Sequence, residues 1–134
     1  MSGAPAVEGC PAFVVSALEV GPAAGLAVRG EVELATAPEL TAALDAAIRE
    51  SAGPFVIDLS RVDFLDSSGI HCLVRARALL GREDRPLRVV CPAGAARRTL
   101  GLAGLDELLP IYASTDELMA SWAGHGPTAP PVSG

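Results

Sequence analysis

The chain has 134 residues, half of them apolar, and a formal net charge of −6. This length fits one domain with a single core and leaves no room for a second of comparable size. The acidic balance argues against nucleic acid as a partner, because such proteins need clustered cations to replace the counterions on phosphate. Charges, Gly or Pro interrupt every apolar run before it reaches the roughly eighteen residues of a membrane-spanning helix, so we expect no membrane partner.

Cysteine usage and the N-terminus bear on the cellular compartment. Cys10, Cys72 and Cys91 are odd in number and form no Cys-x-x-Cys pair, which indicates neither a disulfide framework nor a zinc site. We interpret Cys72 and Cys91 as small core residues. Met1 to Pro11 contains no Lys or Arg followed by an apolar stretch, so it does not resemble a secretory signal peptide, and we predict a cytoplasmic location.

Composition and charge change along the chain. Residues 1–12 and 123–134 are rich in Gly, Pro, Ser and Ala without apolar periodicity, which predicts flexible tails around one domain at residues 13–122. Met1 to Asp66 holds three Arg and ten acidic residues, whereas Ser67 to Gly134 holds seven Arg and six acidic residues. A solvated surface is the simpler interpretation of the acidic half, and a face for a basic partner is the alternative.

The domain opens with two short apolar or alternating runs, Phe13 to Leu18 and Leu26 to Val32. Between them, the stretch from Gly21 to Gly25 contains the Gly and Pro that supply turn geometry. This pattern predicts a β-hairpin.

A helix start follows at Thr36. Thr36 fits a cap, Pro38 fits the first turn where its missing N–H costs nothing, and Glu39 completes a capping box. Apolar residues then recur at helical spacing until the Gly-Pro pair at 53–54, and we predict a helix from Thr36 to Ser51. The recurring residues are Leu40, Ala43, Leu44, Ala47 and Ile48.

The continuous apolar run Phe55 to Leu59 has the character of a strand buried on both faces, which we predict at the centre of the sheet. A loop from Ser60 to Asp66 then leads into a helix that ends near Gly81. The residues on its predicted buried face are Ile70, Leu73, Val74 and Ala78. The arginines predicted to point outward are Arg75, Arg77 and Arg82.

The remaining elements alternate in the same way. They are a strand at Leu87–Cys91, a helix at Ala93–Ala103, a short strand at Leu109–Tyr112 and a helix capped at Ser114. The order β-β-α-β-α-β-α-β-α predicts an α/β fold with a mixed sheet of four to five strands and about four helices. Only the opening hairpin must be antiparallel.

The strongest local chemical feature is Asp66-Ser67-Ser68-Gly69, where a buried strand delivers two hydroxyls to the start of a helix. Such a terminus presents unpaired backbone N–H groups and a partial positive charge, which favour an anion such as a phosphoryl group. The same residue types also fit a purely structural cap, with Asp66 or a serine as N-cap and Gly69 relieving crowding in the turn.

Three segments together resemble the STAS domains of bacterial anti-sigma factor antagonists. The first, Val56 to Ile70, reads as an apolar strand, a short loop ending in Asp-Ser-Ser-Gly, and a helix. The second, residues 28–40, contains Gly-Glu-Val-Glu and then Thr-Ala-Pro-Glu-Leu, and the third, residues 95–112, runs from Ala-Ala-Arg-Arg-Thr-Leu to Leu-Pro-Ile-Tyr. The resemblance covers about Val28 to Trp122 and implies a single STAS-like domain.

The resemblance also implies a regulatory cycle. In this family the first hydroxyl after the Asp is the phosphoacceptor, which places the site at Ser67, with Ser68 as second choice. It implies that a partner anti-sigma factor, itself a serine kinase, phosphorylates this residue with ATP, and that a serine phosphatase reverses the reaction. The unmodified form would bind the anti-sigma factor and release a sigma factor, with no cofactor of its own.

A partner-binding surface around this loop is implied as well. Its residues in this chain are Glu33, Thr36, Asp66, Ser68, Gly69 and Ile70. Glu33 departs from the family pattern Gly-Glu-Leu-Asp, because the family usually has Asp there. Glu keeps the charge and adds a methylene, so its contact with the loop or the partner would be altered, and a solvated strand-end acid is the alternative.

Enzyme and metal-site interpretations find less support. The two serines are not in a Gly-x-Ser-x-Gly elbow, and His71 is too near them in sequence to act obviously as their base. Asp58, Asp63 and Asp66 form no Asp-x-Asp-x-Asp-Gly loop, and the chain has no Lys for a phosphate-binding Gly-x-x-x-x-Gly-Lys loop. We predict a non-enzyme without a metal. The alternatives are a STAS scaffold or adaptor in a transport or stress-signalling complex without phosphoregulation, and an enzyme with a serine nucleophile.

Overall fold

A mixed five-stranded sheet forms the framework of the protein in a computed structural model, which describes residues 13–125, with side chains up to residue 122. The strands are β1 (Val14–Val20), β2 (Ala23–Val32), β3 (Phe55–Leu65), β4 (Leu87–Val90) and β5 (Ile111–Tyr112). They lie in the order β1-β2-β3-β4-β5, with β1 antiparallel to β2 and all other neighbours parallel. The predicted α/β class with a mixed sheet is confirmed.

The helices connect the strands in the predicted order. The α-helices of the described region are α1 (Ala37–Arg49), α2 (Ser67–Gly81), α3 (Ala95–Leu102) and α4 (Thr115–His125), and a 3₁₀ turn follows α3 at Leu105–Glu107. Between residues 13 and 125, no helix combines the length and the apolar character needed to cross a bilayer. The predicted N-terminal tail, and the predicted C-terminal tail beyond residue 125, lie outside the described residues.

The opening hairpin is tighter than predicted. β1 and β2 pair as far as Val20 opposite Ala23, so the turn consists of Gly21 and Pro22 alone rather than the whole stretch 21–25. Gly21 has a φ of 55°, a left-handed conformation that glycine adopts without a steric penalty. A two-residue turn of this kind matches the twist of an antiparallel pair.

The predicted capping box at the start of α1 is wrong. Thr36 has a helical backbone conformation, and its side chain makes no cap hydrogen bond. Its hydroxyl instead donates to the carbonyl oxygen of Glu31 at 2.8 Å and accepts from the N–H of Glu33 at 3.0 Å. Thr36 therefore ties the loop before α1 to the end of β2.

β3 is longer than predicted, because it continues past Leu59 through the segment predicted as a loop and ends at Leu65. Parallel pairing with β2 extends the strand until Val32 lies opposite Leu65, and two register irregularities absorb the extra residues of β3. The pairing is close. A Cβ atom on Gly25 in β2 would collide with the carbonyl oxygen of Val56 in β3, so this position requires glycine.

The two faces of the sheet have different coverings. On one face, alternate strand residues such as Leu26, Ile57 and Val89 form the main core with α1, α2 and α3. On the other face, a smaller cluster packs against Leu118 of α4. Its other members are Val20, Ala23, Val56 and Val90, with Leu18, Tyr112 and Trp122 alongside. Tyr112 and Trp122 therefore help to pack α4 against the sheet.

The buried face of α2 differs from the predicted one. Its buried residues are Gly69, Cys72, Leu73, Ala76 and Leu80, whereas Val74 is 41% exposed and Ala78 is also exposed. Ala and Leu occur around most of this helix, so its sequence pattern fixes the buried side poorly, and packing on β3 and α1 decides it. The three arginines predicted to point outward are exposed.

The predicted roles of two cysteines are confirmed. Cys72 and Cys91 are both buried, free and part of the main core. Burial raises the pKa of the Cys91 thiol, so this group stays protonated at neutral pH and behaves as a small apolar side chain.

A buried arginine that the sequence did not single out joins the ends of two helices. Arg85 lies between α2 and β4 and is only 8% exposed. Its guanidinium donates to the carbonyl oxygens of Gly53 at 2.7 Å and Ile48 at 2.8 Å, and to the Ser51 hydroxyl at 2.8 Å. It also pairs with the exposed carboxylate of Glu83 at 3.3 Å. Arg85 therefore satisfies the carbonyl groups at the C-terminal end of α1.

We expect Arg85→Met to lower the free energy of unfolding by about 2–4 kcal/mol, because the carbonyl groups of Gly53 and Ile48 would lose a charged donor. The matched control is Arg82→Met at an exposed position nearby, which should change stability by less than about 0.5 kcal/mol. Urea denaturation followed by circular dichroism measures both. Equal stability of the two variants would show that Arg85 contributes nothing beyond a surface arginine.

Candidate functional site

The site lies at the edge of the sheet where β2 and β3 both end. Val32 and Leu65 are opposite each other at the last paired position of the two parallel strands. The N–H of Asp66 donates to the carbonyl oxygen of Val32 at 3.1 Å. The chain segments that follow the two strands, which carry Glu33 and Asp66, therefore start side by side.

Asp66 is the N-cap of α2. Its backbone is extended, and its Oδ1 accepts a hydrogen bond from the N–H of Ser68 at 2.8 Å. The carbonyl oxygen of Asp66 accepts from the N–H groups of Gly69 and Ile70 at 3.0 and 3.2 Å. The structural-cap interpretation of Asp66 is thus correct, and it leaves both serine hydroxyls available for chemistry.

The two serines differ in accessibility. Ser67 is the first residue of α2 and is exposed, and its hydroxyl has no hydrogen-bond partner among residues 13–122. Ser68 is half-buried and faces α1. The hydroxyl of Ser67 is therefore the more accessible of the two to an approaching enzyme or partner.

Gly69 allows α2 to start close to the sheet. It is buried, and a Cβ atom there would collide with Cδ1 of Leu65 and approach Cγ1 of Val32 to 2.9 Å. Because Leu65 and Val32 are buried in the main core, neither can move away easily. Gly69 therefore sets the distance between the serine pair and the ends of the two strands.

Glu33 belongs to a loop that its own residues hold in place. Its Oε1 accepts from the N–H of Ala35 at 2.9 Å, and its carbonyl oxygen accepts from the N–H groups of Thr36 and Ala37 at 3.0 and 2.8 Å. The carboxylate of Glu33 thus acts within its own loop, and it stands next to Asp66 through the strand pairing. The side chain of Glu33 accepts from the N–H two residues ahead, as the side chain of Asp66 does from Ser68.

A groove runs between the N-terminal ends of α1 and α2, with a volume of about 290 Å³. Its lining residues are Leu34, Ala37, Pro38, Thr41, Ser68, His71, Cys72 and Arg75. Leu34 is 76% exposed, so it contributes accessible apolar surface to this groove. The sequence does not predict this groove, because its residues come from α1, the loop before it and α2, about thirty positions apart, and only tertiary packing brings them together.

Below the groove, an ion pair joins the same two helices. Arg75 donates to Oδ2 of Asp45 at 2.8 Å, and this hydrogen bond raises the pKa of the Arg75 guanidinium. Near the groove floor, the Sγ of Cys72 lies 3.4 Å from the hydroxyl of Thr41. These contacts connect α1 and α2 beside the groove.

The structure brings together all the residues that the sequence predicted around the loop. Glu33, Thr36, Asp66 and Ser68 lie at one edge of the sheet and are half-buried, and Ile70 is half-buried against the main core. Among residues 13–122, no three His, Cys, Asp or Glu side chains lie close enough to hold a metal ion.

A five-stranded mixed sheet with a capped helix starting directly after its central strand defines an α/β domain of the STAS type. The family model described as "Mlab, STAS domain" matches residues 17–110. The chain therefore belongs to the STAS domain family.

The chain is similar to several anti-sigma factor antagonists. RsfB of Mycobacterium tuberculosis, an anti-sigma-F factor antagonist, is 29% identical over 99 residues, which cover 74% of this chain and 80% of RsfB. The anti-sigma-B factor antagonist of Staphylococcus aureus is 25% identical over 89 residues, which cover 66% of this chain and 82% of that protein. The crystal structure of an anti-sigma factor antagonist from Mycobacterium paratuberculosis is 33% identical, with a TM-score of 0.75, and covers 82% of this chain and 93% of that one.

Replacing Gly69 with Ala should destabilise the protein by about 1–3 kcal/mol, because the added methyl group overpacks the junction with Leu65 and Val32. Gly81→Ala is the matched control in the same helix. No atom lies within 4 Å of a Cβ there, so this variant should be neutral or up to about 1 kcal/mol more stable. Thermal unfolding of both variants checks the prediction, which fails if Gly69→Ala melts at or above the wild-type temperature.

Proposed function

We propose that this protein is an anti-sigma factor antagonist that is switched by phosphorylation of Ser67. Its unphosphorylated form binds an anti-sigma factor that is also a serine kinase, and this binding releases a sigma factor. The kinase inactivates the antagonist by phosphorylating Ser67, and a serine phosphatase restores it. The observation that carries the proposal is the exposed hydroxyl of Ser67, without a hydrogen-bond partner among residues 13–122, in a chain similar to named antagonists.

The position of Ser67 supports a reversible switch without unfolding. A phosphoryl group on the first residue of α2 would lie at the positive end of the helix dipole, which favours negative charge. The helix therefore has no electrostatic reason to melt. The Asp66 carboxylate already accepts the N–H of Ser68, so the cap would persist after modification.

The phosphoryl group would instead change the charge of the partner-binding surface. It adds about −1.5 to −2 charges next to Asp66, the last residue of the acidic half of the chain. A partner surface that accommodates a neutral hydroxyl there would face repulsion and an unfavourable loss of hydration. Binding would weaken although the antagonist keeps its fold.

The proposed partner surface combines the loop residues with the groove beside them. Leu34 and Pro38 supply exposed apolar area, and Glu33 and Asp66 supply charge at the rim. An apolar centre with a charged rim is the usual composition of a protein interface. Gly69 is buried, so we assign it the role of positioning Ser67 rather than contacting the partner.

The alternative function is a STAS scaffold or adaptor subunit of a transport or stress-signalling complex without phosphoregulation. The observation in its favour is the matching family model, whose description names Mlab rather than an antagonist. In that case the same surface would bind a partner regardless of the state of Ser67. Phosphorylation of Ser67 and its effect on partner binding distinguish the two functions.

Incubation of the full chain with ATP and candidate serine kinases from the same cell should add one phosphoryl group, which intact-mass spectrometry detects. We expect no addition to Ser67→Ala and normal addition to Ser68→Ala, because the Ser67 hydroxyl is the exposed one. Phosphorylation of Ser67→Ala to the wild-type extent would move the site away from Ser67.

Ser67→Asp should bind the anti-sigma factor at least about tenfold more weakly than Ser67→Ala, because it places a negative charge where the phosphoryl group would be. Ala120→Asp, which adds the same charge at an exposed position of α4, should bind like wild type. Isothermal titration calorimetry with the purified partner measures the dissociation constants. Equal affinities of Ser67→Asp and Ser67→Ala would favour the scaffold function.

A further inference from the structure

A second polar site lies on the face of the sheet opposite α1 and α2. A cavity of about 280 Å³ opens over β1, β2 and β3, at a distance along the strands from the cluster that α4 covers. Its lining residues are Val14, Ser16, Ala27, Val28, Arg29, Asp58, Ser60 and Arg61. Small side chains from three adjacent strands form the centre of the depression, since Ser16, Ala27 and Asp58 share one register row.

Two arginines on neighbouring strands both line this cavity. Arg29 of β2 and Arg61 of β3 are register partners, and both are exposed. Neither side chain forms an ion pair or a hydrogen bond with any other residue between 13 and 122. Like charges directly opposite each other on paired strands are destabilising, so this arrangement costs free energy that no described contact offsets.

A register irregularity of β3 places Arg61 in the lining of this cavity. Ala27 pairs with Asp58, but Arg29 pairs with Arg61, so β3 has one more residue than β2 between these two positions. The additional residue is what brings both Ser60 and Arg61 into the lining of the cavity. Such irregularities re-aim side chains and are frequent beside functional sites.

The acidic residue of the cavity is already engaged. Oδ1 of Asp58 accepts hydrogen bonds from the N–H of Ser60 at 2.9 Å and from its hydroxyl at 2.5 Å. The lining therefore holds two arginines without an ion-pair partner among residues 13–122 and one carboxylate bonded within its own strand, which together give a net charge of +1. Of the three arginines in the acidic first half of the chain, two are in this cavity, so the positive charge is local and not part of a general basic surface.

We propose that this cavity binds an oxyanion, a phosphoryl or carboxylate group, between the guanidinium groups of Arg29 and Arg61. A planar guanidinium group binds such an anion through two parallel hydrogen bonds. Two guanidinium groups on adjacent strands can bind the same anion. The bound anion would also relieve the repulsion between the two arginines. The site is separate from Ser67, because it lies on the sheet face and uses none of the loop residues.

The test is an NMR titration of the ¹⁵N-labelled full chain with inorganic phosphate and, separately, with citrate, at constant ionic strength maintained with chloride. We expect saturable amide shifts at Ala27, Arg29 and Arg61, with a dissociation constant on the order of millimolar. Arg29→Gln and Arg61→Gln should each weaken binding about five- to tenfold, and the double variant should lose saturation. Arg98→Gln, at an exposed position of α3, should bind like wild type.

Two further variants make the outcome specific. Ala27→Leu keeps both arginines but fills the cavity, so it should also lose binding, whereas Ser67→Ala should bind phosphate as wild type does. Saturation with phosphate alone, with citrate alone or with both supports the proposal and distinguishes a phosphoryl ligand from a carboxylate ligand. Shifts that stay linear for both anions, or that persist in the folded double variant, would overturn it without affecting the proposed role of Ser67.

Discussion

β2 and β3 run side by side through the sheet, and their close parallel pairing is the constraint on which the other features depend. Gly25 lets the backbone of β2 approach the carbonyl oxygen of Val56, and the pairing then continues to Val32 and Leu65. Because the strands stay paired to their ends, the segments that follow them start at the same edge of the sheet. The loop of Glu33 and the start of α2 are therefore neighbours although they are about thirty residues apart in sequence.

Short contacts connect the paired ends of β2 and β3 to the helix start that carries the exposed Ser67. The backbone of Asp66 bonds to Val32, and the Asp66 carboxylate caps α2. Gly69 lets the first turn of the helix rest on Leu65. Ser67 is thus exposed on a capped and closely packed helix start, which is compatible with the proposed switch because that switch changes surface charge and leaves the fold intact.

β3 contributes residues to both faces of the sheet. Its apolar residues, such as Ile57 and Leu59, build the core under α1 and α2, whereas the irregularity near Ser60 and Arg61 exposes polar groups on the opposite face. A regular strand would have alternated without interruption and could not have placed both residues in one cavity. β3 therefore connects the start of α2 at Asp66 and Ser67, the core and the proposed anion site.

The sequence by itself determined the element order, the α/β class, the helix start at Asp66-Ser67 and the STAS resemblance, because these depend on local periodicity, turn residues and a contiguous motif. Tertiary structure decided the rest. It extended β3 to Leu65 and buried Arg85 against the end of α1. It also directed the Thr36 hydroxyl to the carbonyl oxygen of Glu31 instead of to the start of α1. It also paired Arg29 with Arg61. Each of these depends on a partner more than four positions away, and local patterns carry no information about which distant groups will satisfy a strand edge, a hydroxyl or a buried charge.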